Sequence, residues 1–165
     1  MARLTTLLLV SAALAATTTG CERKHPAQLP PVAGPAQQPS GPSITPGSRA
    51  DFERSVTSNT IHFAFDRYDI DPREQRILDS QAAWLAKWPN VPVSLEGHCD
   101  ERGTREYNLA LGDRRANAAK NYLAARGISP GRISTISYGK ERPIALNSDE
   151  ASLAQNRRAV TIVLN

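Results

Sequence analysis

The chain has few aromatic residues and almost no cysteine. Aromatic side chains make up 5% of its 165 residues, so a folded core must consist mainly of Leu, Ile, Val and Ala. The two cysteines, Cys21 and Cys99, cannot form a disulfide framework. The sequence also lacks a basic stripe with interleaved aromatic residues, so nucleic acid is not an expected partner. The length allows one domain with flanking segments.

No hydrophobic run is long enough to span a bilayer, but the first residues are typical of an export signal. The mostly apolar stretch 4–16 follows Arg3, and small residues come next. A short apolar stretch after a basic start is typical of a secretory signal and not of a transmembrane helix. Residues 1–20 are therefore predicted to be a signal peptide.

The segment that ends in Cys21 resembles the lipobox of bacterial lipoproteins. Gly20 and Cys21 fit that pattern, whereas Thr18 stands where Leu is usual. Cleavage before Cys21 would free its amine for N-palmitoylation and leave its thiol for S-diacylglycerol, and several acyl chains anchor where a single chain does not. The alternative is ordinary secretion with release of a soluble protein. Glu22 in place of Asp favours the outer membrane of a Gram-negative bacterium.

Residues 21–47 are predicted to be a disordered tether that begins with the lipidated cysteine. This segment holds seven of the twelve prolines together with three glycines, and large apolar residues are nearly absent. Such a composition cannot bury enough apolar surface to fold. As an extended polyproline helix the segment would reach about 80 Å. Residues 48–165 remain for the folded domain, and their net charge is only +2.

Helical and extended patterns alternate along residues 48–165. Asp71 followed by proline is a strong helix start, in which Glu74 is expected to reach back to the cap. Gly127 is expected to close a long helix, with Ile128 packed on the preceding turn in a Schellman motif. The predicted order is helix 48–56, strand 60–65, helix 71–89, strand 91–99, helix 105–126, strand 133–138, helix 149–155 and strand 158–164. This order predicts an α/β fold of the α+β sandwich type, with one mixed four-stranded sheet and packed helices.

Polar and charged residues concentrate around the loop that precedes the long helix. Asn108, Leu111 and Arg115 share one stripe of that helix, beside the loop from Asp100 to Gly103. An arginine fork matches a carboxylate and an aspartate accepts from an ammonium, so a zwitterionic ligand could bridge Asp100 and Arg115. The alternative is a plain salt bridge between these two residues, which their spacing alone favours.

Two other chemistries fit this segment poorly. A metal site made of His98, Cys99 and Asp100 is disfavoured because consecutive residues of a strand point to opposite faces. A hydrolase would need two carboxylates that converge on one bond, whereas Asp100 and Glu101 are neighbours in sequence. The sequence therefore predicts a protein that is not an enzyme and that uses no metal or cofactor.

The segment EGHCDERGTREYNLALGDRRANA at residues 96–118 resembles the signature of OmpA-like peptidoglycan-binding domains. Three further segments are similar to the same family, namely IHFAFDRYDI at 61–70, SYGKERP at 137–143 and NRRAV at 156–160. The resemblance extends over residues 60–164 without an obvious gap. It implies a domain that binds the peptide stem of peptidoglycan through a diaminopimelate residue.

The resemblance also implies roles for individual residues. Asp100 and Arg115 would hold the two charged ends of diaminopimelate. The same helix and the end of the first strand would complete the groove with Asn108, Leu111, Phe65 and Asp66.

Similarity to the lipoprotein members of this family implies partners and a location. The protein would be lipid-anchored in the outer membrane, face the periplasm and tether the membrane to the cell wall. TolB and other Tol proteins would bind it, which would connect it to envelope integrity and cell division. The alternatives are a wall-binding lipoprotein without a Tol partner and, more remotely, a peptidoglycan hydrolase.

Two further pairs of residues leave alternatives open. Arg157 and Arg158 would either contact the sugar-peptide polymer or pair with acidic neighbours of the last strand such as Glu96. Trp84 and Trp88 lie one helical turn apart, which favours core and rim positions over a platform for sugars.

Overall fold

The computed structural model describes residues 44–164, in which helices and strands alternate in the predicted order. The predicted signal, Cys21 and almost all of the predicted tether lie outside the described residues. The elements are α1 (Arg49–Ser55), β1 (Thr60–His62), α2 (Pro72–Lys87), β2 (Val93–His98), α3 (Arg105–Ala125), β3 (Ile133–Gly139), α4 (Glu150–Asn156) and β4 (Arg158–Val163). A short 3-10 turn at Pro130–Arg132 leads into β3.

In the described part of the chain the strands form one mixed sheet, in the order β1-β4-β2-β3. β4 runs antiparallel to β1 and β2, while β3 runs parallel to β2. Alternate residues of the central strands are buried on one face, among them Val93, Leu95 and Val163. α2 and α3 pack on this sheet, which confirms the predicted α+β sandwich.

The structure confirms two of the local signals for helix ends, at the start of α2 and at the end of α3. Asp71 caps α2, because its carboxylate accepts from two backbone N–H groups of the first turn. At the end of α3, Gly127 has a φ of +89°, and the N–H of Ile128 donates to Leu123 O at 3.2 Å. This is the predicted Schellman motif, and it buries Ile128 in the core.

Two predictions are wrong, one for the start of α2 and one for the end of β1. Glu74 does not reach back to its cap, because its buried carboxylate instead accepts from the backbone N–H of His62 at 2.8 Å. β1 ends at His62 and not at Phe65. The N–H of Phe63 still donates to Arg157 O at 2.9 Å, but Arg157 is the C-cap of α4, so the pairing with β4 does not continue beyond it. Phe65 and Asp66 therefore lie in the loop after β1 and not at the end of a strand.

The tryptophans of α2 take the predicted core and rim positions. Trp84 is buried, meets Phe52 edge to face with 5.0 Å between ring centroids, and donates from Nε1 to Asp51. Trp88 is half-buried at the rim of the core. Burial leaves Trp84 no exposed face for a sugar ring, so the alternative of a tryptophan platform is wrong.

α3 approaches β2 and β3 closely at two glycines. A Cβ atom at Gly97 of β2 would overlap the carbonyl oxygen of Gly112 in α3. A Cβ atom at Gly112 would overlap Oγ of Ser137 in β3. Backbone therefore packs against backbone here, which brings the first half of α3 against the end of β2 and determines the position of the loop between them.

We expect Gly97→Ala to lower the free energy of unfolding by about 3 kcal/mol, because the added methyl group forces α3 away from the sheet. Urea unfolding followed by circular dichroism measures the change. Gly131→Ala is the control, since a Cβ atom there meets only Ser129 Oγ at 3.8 Å. Its effect should stay within about 0.5 kcal/mol. Equal stability of the two variants would contradict the close packing at Gly97.

Candidate functional site

One pocket brings together all six residues that the family resemblance assigns to the groove. It is formed by the loop after β1, the loop between β2 and α3, and the first half of α3, and its volume is about 160 Å³. Its lining comprises Phe65, Asp66, Cys99, Asp100, Arg102, Gly103, Tyr107, Asn108, Leu111, Arg115 and Arg157. A cavity of about 150 Å³ holds a group of the size of benzene, so this pocket admits one side-chain-sized group and not a polymer.

Arg115 lines the pocket although solvent does not reach it. Its guanidinium donates to three backbone carbonyls: from Nη1 to His98 O at 2.8 Å, from Nε to Arg67 O at 2.9 Å and from Nη2 to Ala64 O at 3.2 Å. Burial lowers the pKa of Arg115, but arginine keeps its charge in proteins. This charge therefore joins α3 to the end of β2 and to the loop after β1.

Asp100 is paired with two other arginines. Its carboxylate lies 2.5 Å from Nη2 of Arg102 and 3.3 Å from Nη1 of Arg157. Burial raises the pKa of Asp100, but the hydrogen bonds from Arg102 and Arg157 together outweigh burial and hold this pKa below its usual range. Because Asp100 pairs with these residues and Arg115 bonds to carbonyls, the alternative of a plain salt bridge between Asp100 and Arg115 is wrong.

The loop after β1 forms the opposite wall of the pocket. Asp66 has a φ of +56°, in the left-handed region, where the chain turns back towards α3. Its carboxylate accepts a hydrogen bond from the hydroxyl of Tyr107 on α3. The guanidinium of Arg102 lies over the ring of Phe65, 4.0 Å from the centroid. Arg102 therefore bridges the two walls, from Asp100 to Phe65.

The loop between β2 and α3 is held in place by α3 itself. The side-chain amide of Asn108 donates to Arg102 O at 2.8 Å and to Thr104 O at 3.1 Å. Thr104 also caps α3, because its hydroxyl accepts from the backbone N–H of Tyr107. Gly103, with a φ of +90°, makes the turn that Asn108 holds. Leu111 is buried one turn further along and gives the pocket an apolar side.

Cys99 is a buried free thiol. Its Sγ donates to Asn108 O at 3.3 Å. Burial raises the pKa of Cys99 to about 11, so the thiol stays protonated at neutral pH and lacks nucleophilic character.

Arg102 and Arg157 are absent from the residues that the sequence assigned to the site. Arg157 is buried and pairs with Asp100 and, from Nη2 at 2.8 Å, with Glu150 of α4. Of the two alternatives predicted for Arg157, the structure shows ion pairs, but they are made with Asp100 and Glu150 and not with Glu96. The positions of these two arginines are the only signals in the sequence. Arg157 directly precedes the last strand, and Arg102 follows Asp100 by two positions.

Within residues 44–164, no three His, Cys, Asp or Glu side chains are grouped closely enough to hold a metal ion. No helix in that range has the length and apolar character that crossing a membrane requires. The side chains that line the pocket include hydrogen-bond donors and acceptors and groups of both charges.

Comparisons with known proteins agree with this fold. The model of the OmpA family matches residues 62–157. The peptidoglycan-associated lipoprotein of Agrobacterium fabrum is 45% identical over 93% of this chain and 85% of its own length. That of Rhizobium meliloti is 53% identical over 73% of this chain and 68% of its own. The crystal structure of the peptidoglycan-associated lipoprotein from Burkholderia pseudomallei matches with a TM-score of 0.65 and 39% identity, over 69% of this chain and 100% of that one.

The chain belongs to the OmpA family. Within this family it is similar to proteins named peptidoglycan-associated lipoprotein over most of its length. These names describe lipoproteins that are associated with peptidoglycan, and the protein is not an enzyme, as the sequence predicts.

His98, the last residue of β2, is only 2% exposed, so its imidazole ring is buried. Neither ring nitrogen has a hydrogen-bond partner among the described residues, and Glu96 Oε2 lies 3.8 Å from Nε2. Burial, together with the nearby charges of Arg158 and Arg142, lowers the pKa of His98 from 6.5 to about 4.

We expect the protein to lose stability as the pH falls from 6.5 towards about 4, because the unfolded chain then binds a proton at His98 that the folded chain excludes. His98→Leu removes this loss. The difference in unfolding free energy between the variant and the wild type should therefore change by up to about 3 kcal/mol across this range. Urea unfolding at several pH values measures it. A difference that does not vary with pH would contradict a neutral, buried ring.

Proposed function

We propose that this protein binds peptidoglycan non-covalently, through a diaminopimelate residue of the stem peptide that enters the pocket. One observation supports this proposal most directly: Asp100 and Arg115, which carry opposite charges, both line one pocket of side-chain size. Such a pair matches a group that carries an ammonium and a carboxylate on one carbon atom. The names of the similar lipoproteins point to the same polymer.

An ammonium that reaches Asp100 must compete with Arg102. The side chain of Arg102 is 37% exposed, so it can leave Asp100 and remain solvated. Arg157, whose side chain is 7% exposed, stays beside Asp100 and keeps this carboxylate ionised. Binding then exchanges one cation for another at Asp100, so the carboxylate is never left buried without a counter-charge.

Arg115 supplies the matching site for the ligand carboxylate. A guanidinium has five N–H groups, and the bonds to His98, Arg67 and Ala64 use three of them. Two N–H groups remain for a carboxylate in the pocket, and the Cys99 sulfur, which also hydrogen-bonds to Arg115, is a weak acceptor that a carboxylate would displace. Because Arg115 is already held by three carbonyls, it loses little side-chain entropy when the ligand binds.

We further propose that lipid at Cys21 anchors the protein in the outer membrane and that segment 22–47 connects this anchor to the domain. The relatives are named as lipoproteins, which supports the anchor. An individual pocket need not bind tightly, because many copies confined near one polymer gain from a high effective concentration.

The partnership with TolB and other Tol proteins rests on family resemblance alone. TolB would use a surface that overlaps the peptidoglycan groove, so the two partners would compete, and the protein would take part in constriction of the outer membrane during division. A pull-down with TolB, in the presence and absence of peptidoglycan fragments, distinguishes this proposal from a wall-binding lipoprotein without a Tol partner. Absence of TolB from the pull-down would favour the latter.

We expect Asp100→Asn to weaken binding to isolated sacculi by roughly thirtyfold, about 2 kcal/mol, because the pocket loses the negative charge that receives the ammonium. Co-sedimentation measures binding, and the thermal midpoint reports folding. Asp79→Asn on α2 is the charge-matched control and should bind normally. Arg115→Ala is less suitable, since it also removes three bonds to the backbone. Normal binding with a lowered midpoint would assign Asp100 a structural role only.

We expect Cys21→Ser to release the protein from the membrane fraction into the soluble periplasmic fraction, because serine offers no thiol for diacylglycerol. Fractionation and immunoblotting of cells that express each form measure the distribution. Retention of the variant in the membrane fraction would overturn the proposed anchor.

A further inference from the structure

A second depression lies on α3, beside the loop that follows β1. Its volume is about 380 Å³, and it is lined by Tyr68, Arg114, Asn117, Ala118 and Asn121. It shares no lining residue with the pocket that contains Asp100. None of the roles considered so far uses this depression.

Arg115 determines where this depression forms. Its bonds to Ala64 O and Arg67 O hold the loop after β1 against α3. Tyr68 comes directly after this attachment and is 49% exposed, so its ring forms a wall beside the helix. The guanidinium carbon of Arg114 lies 5.9 Å from the centroid of this ring. The depression and the pocket are therefore built on the same loop and the same helix.

The lining has the chemistry that a saccharide requires. A pyranose ring has an apolar face of C–H groups and an edge of hydroxyl or acetamido groups. The Tyr68 ring and the small Ala118 side chain offer an apolar surface, while Arg114, Asn117 and Asn121 offer planar donors and acceptors around it. A hydrogen bond from Nδ2 to Asp113 O at 2.9 Å orients the amide of Asn117.

The spacing of the two sites suits one ligand that carries both a peptide and a sugar. Asn108 and Leu111 line the pocket, and Ala118 and Asn121 line the depression ten residues further along the same helix. At 1.5 Å per residue, these two pairs lie about 15 Å apart along α3, while the linings of the two sites adjoin at Arg114 and Arg115. A few extended peptide residues span this distance at about 3.3 Å each.

We propose that this depression is a saccharide subsite that binds an N-acetylated amino sugar of the glycan strand while the pocket holds the stem peptide. This inference rests on the proposed function, since it assumes that the pocket binds the stem. The domain then recognises the junction of peptide and sugar and not the peptide alone. Tyr68 and Asn121 are the residues that provide this preference.

The test compares two ligands that share one diaminopimelate stem peptide, one with its N-acetylglucosamine–N-acetylmuramic acid disaccharide and one without it. Calorimetric titration of the full-length protein in detergent should show about tenfold tighter binding of the disaccharide form. Tyr68→Ala and Asn121→Ala should each reduce this advantage while leaving the affinity for the peptide alone unchanged. Tyr68→Phe keeps the ring and should retain the advantage. Asn147→Ala, in a loop outside both sites, is the matched control for Asn121→Ala.

The outcomes separate this inference from the proposed function. Equal affinity of the wild type for the two ligands would overturn the saccharide subsite and leave stem binding intact. An advantage that survives in both Tyr68→Ala and Asn121→Ala would place the sugar elsewhere and overturn this assignment. Binding of neither ligand by the folded wild type would overturn the proposed function and the subsite together.

Discussion

The buried charge of Arg115 is the interaction on which this part of the molecule depends. It joins α3, the end of β2 and the loop after β1 through charge-assisted hydrogen bonds to backbone carbonyls. None of the ion pairs among the described residues includes Arg115. A buried charge that is solvated by carbonyl dipoles still attracts an anion, because no carboxylate forms a direct ion pair with it. One side chain thus holds the walls in place and supplies the positive end of the site.

The pocket combines fixed and adjustable parts. The contact of α3 with β2 at Gly97 and Gly112 and the buried pair of Asp100 with Arg157 hold the fixed side. Arg102 belongs to the adjustable side, since it rests on the exposed ring of Phe65 and reaches Asp100 from the rim. A fixed base with one partly exposed cation at the entrance would suit a ligand that brings its own cation.

Local signals predicted most of the fold, and long-range contacts explain what they missed. Asp71 caps the start of α2 and Gly127 closes the end of α3. Each acts on backbone groups only a few residues away, so these two helix ends could be inferred from the sequence. Glu74 and Arg157 bond to segments that only folding brings near, and no local pattern identifies those partners. The pocket residues followed from family resemblance, because spacing alone favoured an ion pair that does not form. The same limitation applies to Tyr68, whose position depends on a loop held from a distant helix.

The burial of Cys99 determines how its thiol reacts with oxidants. A thiol with a pKa of about 11 supplies almost no thiolate at neutral pH, and thiolate is the species that attacks disulfides and reacts with oxidants. The native domain is therefore protected from mixed disulfides, whereas an unfolded copy exposes a thiol of ordinary reactivity. Oxidation of Cys99 is therefore expected in unfolded copies of the protein, while folded copies keep this thiol reduced.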